Sequence, residues 1–296
     1  MTITLSIPES LKPEDGRFGS GPSKIRPEQI AALDAGATTL LGTSHRQAPV
    51  KQLVASIREG LREFFHLPEG YEVALGNGGA SAFWEIACAS LITRRAAFGT
   101  YGSFSAKFAA SAANAPFLED PVLFPGEPGT YRLPELTEGV DTYCWAHNET
   151  STGVAAPIRA WRVRDAGALT VIDGTSAAGA LPVDISQTDV YYFSPQKAFG
   201  ADGGLWVAIL SPEAIDRAAG VESSAHLEGA HRWVPPFLSL TTALNNSRKD
   251  QTLNTPAVAT LIMMENQIRW LNNNGGLAWA TTRCAKSASI LYSWAE

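Results

Sequence analysis

The sequence predicts an α/β protein, a three-layer α/β/α sandwich around a mainly parallel central sheet. Short apolar runs such as Leu169–Ile172 and Leu205–Leu210 alternate with longer segments of helical periodicity. Several runs are apolar at every position, as strands covered by helices on both faces must be. No internal repeat is present, so a layered sheet is favoured over a solenoid.

Composition narrows the function classes. The chain has 296 residues, enough for a sizeable core, with 45% hydrophobic and 18% charged residues. Its net charge of -6, with both signs interspersed, gives no support for nucleic-acid binding, while small anionic ligands need only a local arginine or a helix N-terminus. Cys88, Cys144 and Cys284 are widely scattered, without metal-ligand or disulfide spacing. Met1–Pro13 lacks the pattern of a signal peptide, and no apolar run reaches membrane-spanning length. The expected compartment is the cytoplasm.

Residues 1–24, rich in Pro, Gly and Ser, read as an irregular arm. Pro27–Gly36 predicts a short helix, Gly42–Arg46 a loop, and Val50–Phe65 an amphipathic helix. Tyr71–Leu75 alternates like a strand and runs into Gly76-Asn77-Gly78-Gly79-Ala80-Ser81, after which Ala82–Ile92 is helical. Strand, Gly-rich turn and helix in that order can cradle a phosphate on free N–H groups, or can simply be a tight turn. The turn lacks the Lys-Ser/Thr of a P-loop and the third Gly of a dinucleotide fingerprint. Phe104, just before a helix predicted from Ala106, offers a ring for stacking on a planar ligand or for the core.

Val140–Ala146 predicts a strand opening onto His147-Asn148-Glu149-Thr150, a polar cluster at the strand end where α/β sheets bind ligands. Strand Leu169–Ile172 ends at Asp173, whose carboxylate would suit a protonated pyridine nitrogen or a helix cap. Tyr191–Phe193 leads into Ser194-Pro195-Gln196-Lys197, and strand Leu205–Leu210 leaves Gly203-Gly204. A lysine in such a turn is either an ordinary hairpin residue on the surface or a partly desolvated one, whose lowered pKa lets it form a Schiff base with an aldehyde cofactor. A helix follows from Pro212 to about Ala219, and residues 220–250 read as irregular, with His226, His231, Arg232 and Trp233 at a surface or interface. Thr255 and Pro256 predict the N-cap and first position of a long helix to Leu271, and Leu277–Trp294 a final one.

The blocks Phe18–Pro22, Gly42–Arg46, Asn148–Thr150, Ser194–Lys197 and Asn254–Pro256, in this order, resemble those of the phosphoserine aminotransferases. These are class V, fold-type I pyridoxal-phosphate enzymes, and the wording around the blocks is closest to the actinobacterial branch. The resemblance spans essentially the whole chain. It implies that Lys197 binds pyridoxal 5'-phosphate covalently and shuttles a proton, and that Asp173 keeps the pyridine nitrogen protonated. Phe104 would stack on the ring and Thr150 would meet its hydroxyl oxygen. Gly79, Ala80 and Gln196 would hold the cofactor phosphate. Asn254 and Thr255 would reach that cofactor from the neighbour in a homodimer, and the neighbour's His45 and Arg46 would grip the substrate phosphate. The implied reaction converts L-glutamate and 3-phosphohydroxypyruvate into 2-oxoglutarate and O-phospho-L-serine, in serine and potentially pyridoxine biosynthesis.

Two departures stand out. Ala80 occupies a position where many members carry an arginine near the substrate phosphate. The family also continues into a small C-terminal domain that supplies the arginine for the substrate carboxylate. The expected division is therefore an arm over 1–24, a large cofactor-binding domain over 25–275 and a linking helix over 276–296, with slow turnover by this 296-residue form. Other readings are a different class V reaction, such as a small amino acid–glyoxylate aminotransferase or a desulfurase, and a non-catalytic anion-binding module.

Overall fold

The computed structural model describes residues 6–13, 15–17, 19–159, 167–225, 227 and 231–296. Phe18 and His226, both noted in the sequence, lie outside them. The strands are β1 (Glu72–Asn77), β2 (Ala96–Thr100), β3 (Val122–Pro125), β4 (Thr142–Ala146), β5 (Asn148–Glu149), β6 (Val154–Ala155), β7 (Leu169–Asp173), β8 (Val190–Phe193) and β9 (Leu205–Leu210). The α-helices are α1 (Pro27–Gly36), α2 (Ala48–Phe64), α3 (Ala80–Ser90), α4 (Ser103–Asn114), α5 (Pro212–Ser224), α6 (Leu240–Ser247), α7 (Val258–Asn273) and α8 (Gly276–Ala295).

Seven strands form one sheet in the order β1-β9-β8-β7-β4-β2-β3, and β5 and β6 form a separate two-stranded ribbon. Within the large sheet only β9 runs against its neighbours, pairing antiparallel with both β1 and β8. The other pairs are parallel, as the apolar runs implied. Alternation along the strands feeds two cores. Tyr191 and Phe193 of β8 face the core built with Val54, Ile57 and Leu61 of α2 and Leu261, Met264 and Ile268 of α7. Val190 and Tyr192 face the opposite core, built with Phe83 and Ile86 of α3, Phe108 of α4, Ala214 of α5 and Leu244 of α6. The result is the predicted three-layer sandwich.

This topology sends the C-terminal ends of β1, β2, β4, β7 and β8 to one edge of the sheet, so that the turns after them share a rim. Local boundaries differ from expectation at informative places. Helix α3 starts at Ala80 and α4 at Ser103, so Ala80 and Phe104 belong to first helical turns rather than to the loops before them. Helix α7 begins at Val258 with Ala257 at its N-cap, so Thr255 and Pro256 precede it. The Thr255 carbonyl accepts instead from Asn77 Nδ2 at 2.9 Å. Residues 220–250 contain the end of α5 and all of α6. Among the described residues, no helix is long and apolar enough to cross a membrane.

Candidate active site

The rim begins at Gly78 and Gly79, between β1 and α3. Gly79 is the N-cap of α3 at φ 101°, a conformation that a side chain disfavours, and no side chain caps the helix there. Its first N–H groups therefore converge on the rim uncapped, with the positive end of the helix dipole behind them.

Asp173 closes β7 on the same edge. Its Oδ1 accepts the Thr175 N–H at 2.8 Å and its Oδ2 accepts the Tyr192 hydroxyl at 2.9 Å. Tyr192 is fully buried and stacked on Phe83 of α3, with ring centroids 4.6 Å apart. Burial raises the Asp173 carboxyl above its ordinary 3.8, although the bonds from Thr175 and Tyr192 oppose that shift.

Lys197 lies in the turn between β8 and β9, beside Gln196. Its ammonium donates to the Ser20 carbonyl at 2.5 Å, and the Ser23 N–H donates to the Gln196 carbonyl at 2.7 Å. The N-terminal arm thus lies across the lysine turn, a contact that no sequence spacing announces. Partial burial draws the Lys197 pKa below its ordinary 10.5, which enlarges the neutral, nucleophilic fraction of the amine.

Phe104, 41% exposed, stands on the first turn of α4, and Thr150 is half-buried just after β5. His45 and Thr255, far apart in sequence, meet within one chain: the His45 Nδ1 is 3.2 Å from the Thr255 hydroxyl oxygen. Arg46 and Asn254 beside them are exposed. Among the described residues, no hydrogen bond joins these four side chains to Lys197, Asp173 or Gly79. The structure gathers His45 with Thr255, whose carbonyl is in turn held by Asn77 at the end of β1.

Gln196 Oε1, in the lysine turn, is buried without a partner, as is His45 Nε2. An unmet group beside Lys197 fits a polar ligand better than a finished core does. An uncapped helix start suits a phosphate, a buried carboxylate suits a cationic ring nitrogen, an exposed aromatic suits a planar ring and a desolvated amine suits an aldehyde. The residues present therefore fit pyridoxal phosphate. Cys88 and Cys144 are free and buried, and burial pushes the Cys88 thiol up to about 12, against a nucleophilic role.

Comparison with known proteins agrees with this arrangement. Residues 18–293 match the aminotransferase class-V family. A phosphoserine aminotransferase of Rhodococcus opacus (strain B4) is 55% identical over 299 residues, covering 100% of this chain and 78% of the relative. A solved phosphoserine aminotransferase from Cytophaga hutchinsonii superposes with a TM-score of 0.81 at 22% identity, covering 93% of this chain and 76% of that one. A pyridoxal-phosphate-bound phosphoserine aminotransferase from Trichomonas vaginalis gives a TM-score of 0.73 at 19% identity, covering 93% and 76%. The two structures establish the shared fold, and the relative and the family match establish kinship. The chain belongs to the class-V aminotransferases, and among them to the phosphoserine aminotransferase family.

Proposed function

We propose that this aminotransferase uses pyridoxal phosphate to move the amino group of L-glutamate onto 3-phosphohydroxypyruvate, yielding O-phospho-L-serine and 2-oxoglutarate for serine biosynthesis. The same reaction type would serve pyridoxine biosynthesis. The observation that carries the reading is the rim itself: one desolvated lysine, one buried carboxylate and one uncapped helix start share a single sheet edge. The close relative supplies the substrate class.

When bound, the cofactor supplies an aldehyde for the amino group and an electron sink for the carbon it leaves. Lys197 Nζ would be the amine that holds the cofactor's aldehyde end and would hold and move a proton beside it. Asp173, oriented by Tyr192 and Thr175, keeps the ring nitrogen protonated. Phe104 and Thr150 set the plane of the ring, and Gly79, Ala80 and Gln196 receive the phosphate.

The working unit is a homodimer in which Asn254, Thr255, His45 and Arg46 are supplied to the site by the neighbour. Their grouping around the His45–Thr255 contact, with no hydrogen bond from these side chains to Lys197, Asp173 or Gly79 among the described residues, supports this. With Ala80 bringing no charge, His45 and Arg46 carry the recognition of the substrate phosphate. The chain matches 78% of the Rhodococcus relative.

An absorbance spectrum tests the core of the reading. Purified protein supplied with cofactor should turn yellow, borohydride should fix the label on Lys197, and Lys197→Ala should lose the fixed label. A protein that stays colourless would refute it. A panel of 2-oxo acids with and without a phosphate group then tests the substrate class.

A further inference from the structure

Glu149 has no exposed surface, and no step of the proposed reaction uses it. It ends the short strand β5, which follows β4, and directly precedes Thr150. Its Oε2 accepts from the Ser105 N–H at 2.8 Å and from the Ser105 hydroxyl at 2.9 Å. Its Oε1 accepts from the Ser151 hydroxyl at 2.8 Å, the Ser151 N–H at 3.2 Å and the Phe104 N–H at 3.3 Å. A buried carboxylate is tolerated only when its lone pairs are met in this way. Burial opposes its charge, yet the bonds from Ser105 and Ser151 prevail and hold the carboxyl below its ordinary 4.5.

The donors show what Glu149 holds. Phe104 and Ser105 lie in the first turn of α4, whose N-cap, Gly102, has no side chain to cap it. The remaining N–H of that turn, from Ser103, donates to Ser151 Oγ at 2.8 Å, and that hydroxyl is itself bound to Glu149. Glycine at 102 is required by the same contact, since a Cβ there would stand 2.2 Å from Glu149 Cγ. The first turn of α4 is therefore capped from a loop more than forty residues away by a carboxylate next to Thr150. Phe104 is 41% exposed, and Lys107 Nζ stands 5.6 Å from its ring centroid.

We propose that Glu149 is a positioning residue that locks the first turn of α4 to the 149–151 loop and so sets Phe104 and Thr150 at a fixed separation around the cofactor ring. This rests on the cofactor assignment above. In that assignment Phe104 covers a face of the ring and Thr150 meets an atom on its edge. A carboxylate joining their two backbones is what makes one ring plane satisfy both.

A double-mutant cycle on the loaded protein tests it. Glu149→Gln, Phe104→Ala and the double variant are titrated with pyridoxal phosphate, reading the dissociation constant and the circular dichroism of the bound chromophore. Thermal melts without cofactor report fold separately. Expected are a roughly tenfold weaker Kd and an altered chromophore signal for Glu149→Gln, but less than about a threefold further loss when Phe104 is already Ala. Equal penalties in both backgrounds, or a lower melting temperature with unchanged Kd and dichroism, would overturn the proposal. If Glu149→Gln fails to fold, Ser105→Ala, which removes one donor, should show the same non-additivity with Phe104→Ala, and additivity there would overturn it. Wild-type protein that takes up no cofactor overturns the assignment beneath; wild-type uptake with additive penalties overturns only the role of Glu149.

Discussion

Arg46 and His147 lead to opposite kinds of expectation. Arg46 is exposed and lies beside the contact between His45 and Thr255, where the proposed dimer would offer it to a substrate phosphate. A charge-assisted contact of that kind contributes about 1.5–3 kcal/mol. Arg46→Ala should therefore raise KM for the phosphorylated oxo acid by about ten- to a hundredfold, leave cofactor binding intact and barely change the KM for glutamate. Steady-state kinetics with each substrate varied in turn checks this. His147, in contrast, is buried, with its Nδ1 3.2 Å from the Tyr191 hydroxyl. Burial lowers its pKa from 6.5 to about 4. Between those values the unfolded chain binds a proton that the folded chain refuses, so the unfolded state gains as pH falls. The stability contributed by neutral His147 is present above pH 6.5 and is lost as pH drops toward 4, by up to about 3 kcal/mol. Urea unfolding at several pH values should show that slope, and His147→Gln should flatten it.

At the scale of elements, the site is a set of helix starts and strand ends, and those starts can be disturbed one at a time. Gly79→Val places a β-branched residue at φ 101°, where strain of roughly 1–3 kcal/mol is expected. It also crowds the N–H groups that would meet the phosphate. Its cofactor Kd should rise at least tenfold while borohydride still labels Lys197 at saturating cofactor; an unchanged Kd would remove Gly79 from the phosphate site. The features that made β7, β8 and β9 readable were local, since runs buried on both faces need no partner to be recognised. Strand β3 was missed because it is an edge strand, half open to solvent and ended by Pro125. Thr255 and Pro256 have the composition of a helix start, yet the carbonyl of Thr255 is taken by Asn77 and the helix waits until Val258. Lys197, Asp173 and Gly79 were legible because each sits where its own element ends. Ser20, Tyr192 and Glu149 were not, because their contacts to Lys197, Asp173 and Ser105 cross from one element to another.

For the whole molecule, the question is which chain completes which site. Lys197 and Asp173 share the sheet edge within one chain, while His45 and Thr255 form their own cluster. In a symmetric dimer, residues lent by each subunit to the other make two equivalent composite sites. Subunit mixing distinguishes this from a site built within one chain. Lys197→Ala and Arg46→Ala are each deficient alone at low concentrations of the phosphorylated substrate. If the dimer shares its residues as proposed, a mixed dimer has one site with Lys197 from one subunit and Arg46 from the other, and a second site with neither. Random exchange of equal amounts then makes half the dimers mixed, and activity should rise to about a quarter of the wild-type value. The comparison is with wild type of the same 296-residue chain. If each chain instead completes its own site, mixing gives only the mean of the two parents, because no exchange can reunite Lys197 with Arg46. Recovery above that mean therefore reports residues shared across the interface, and its size reports how many sites were restored.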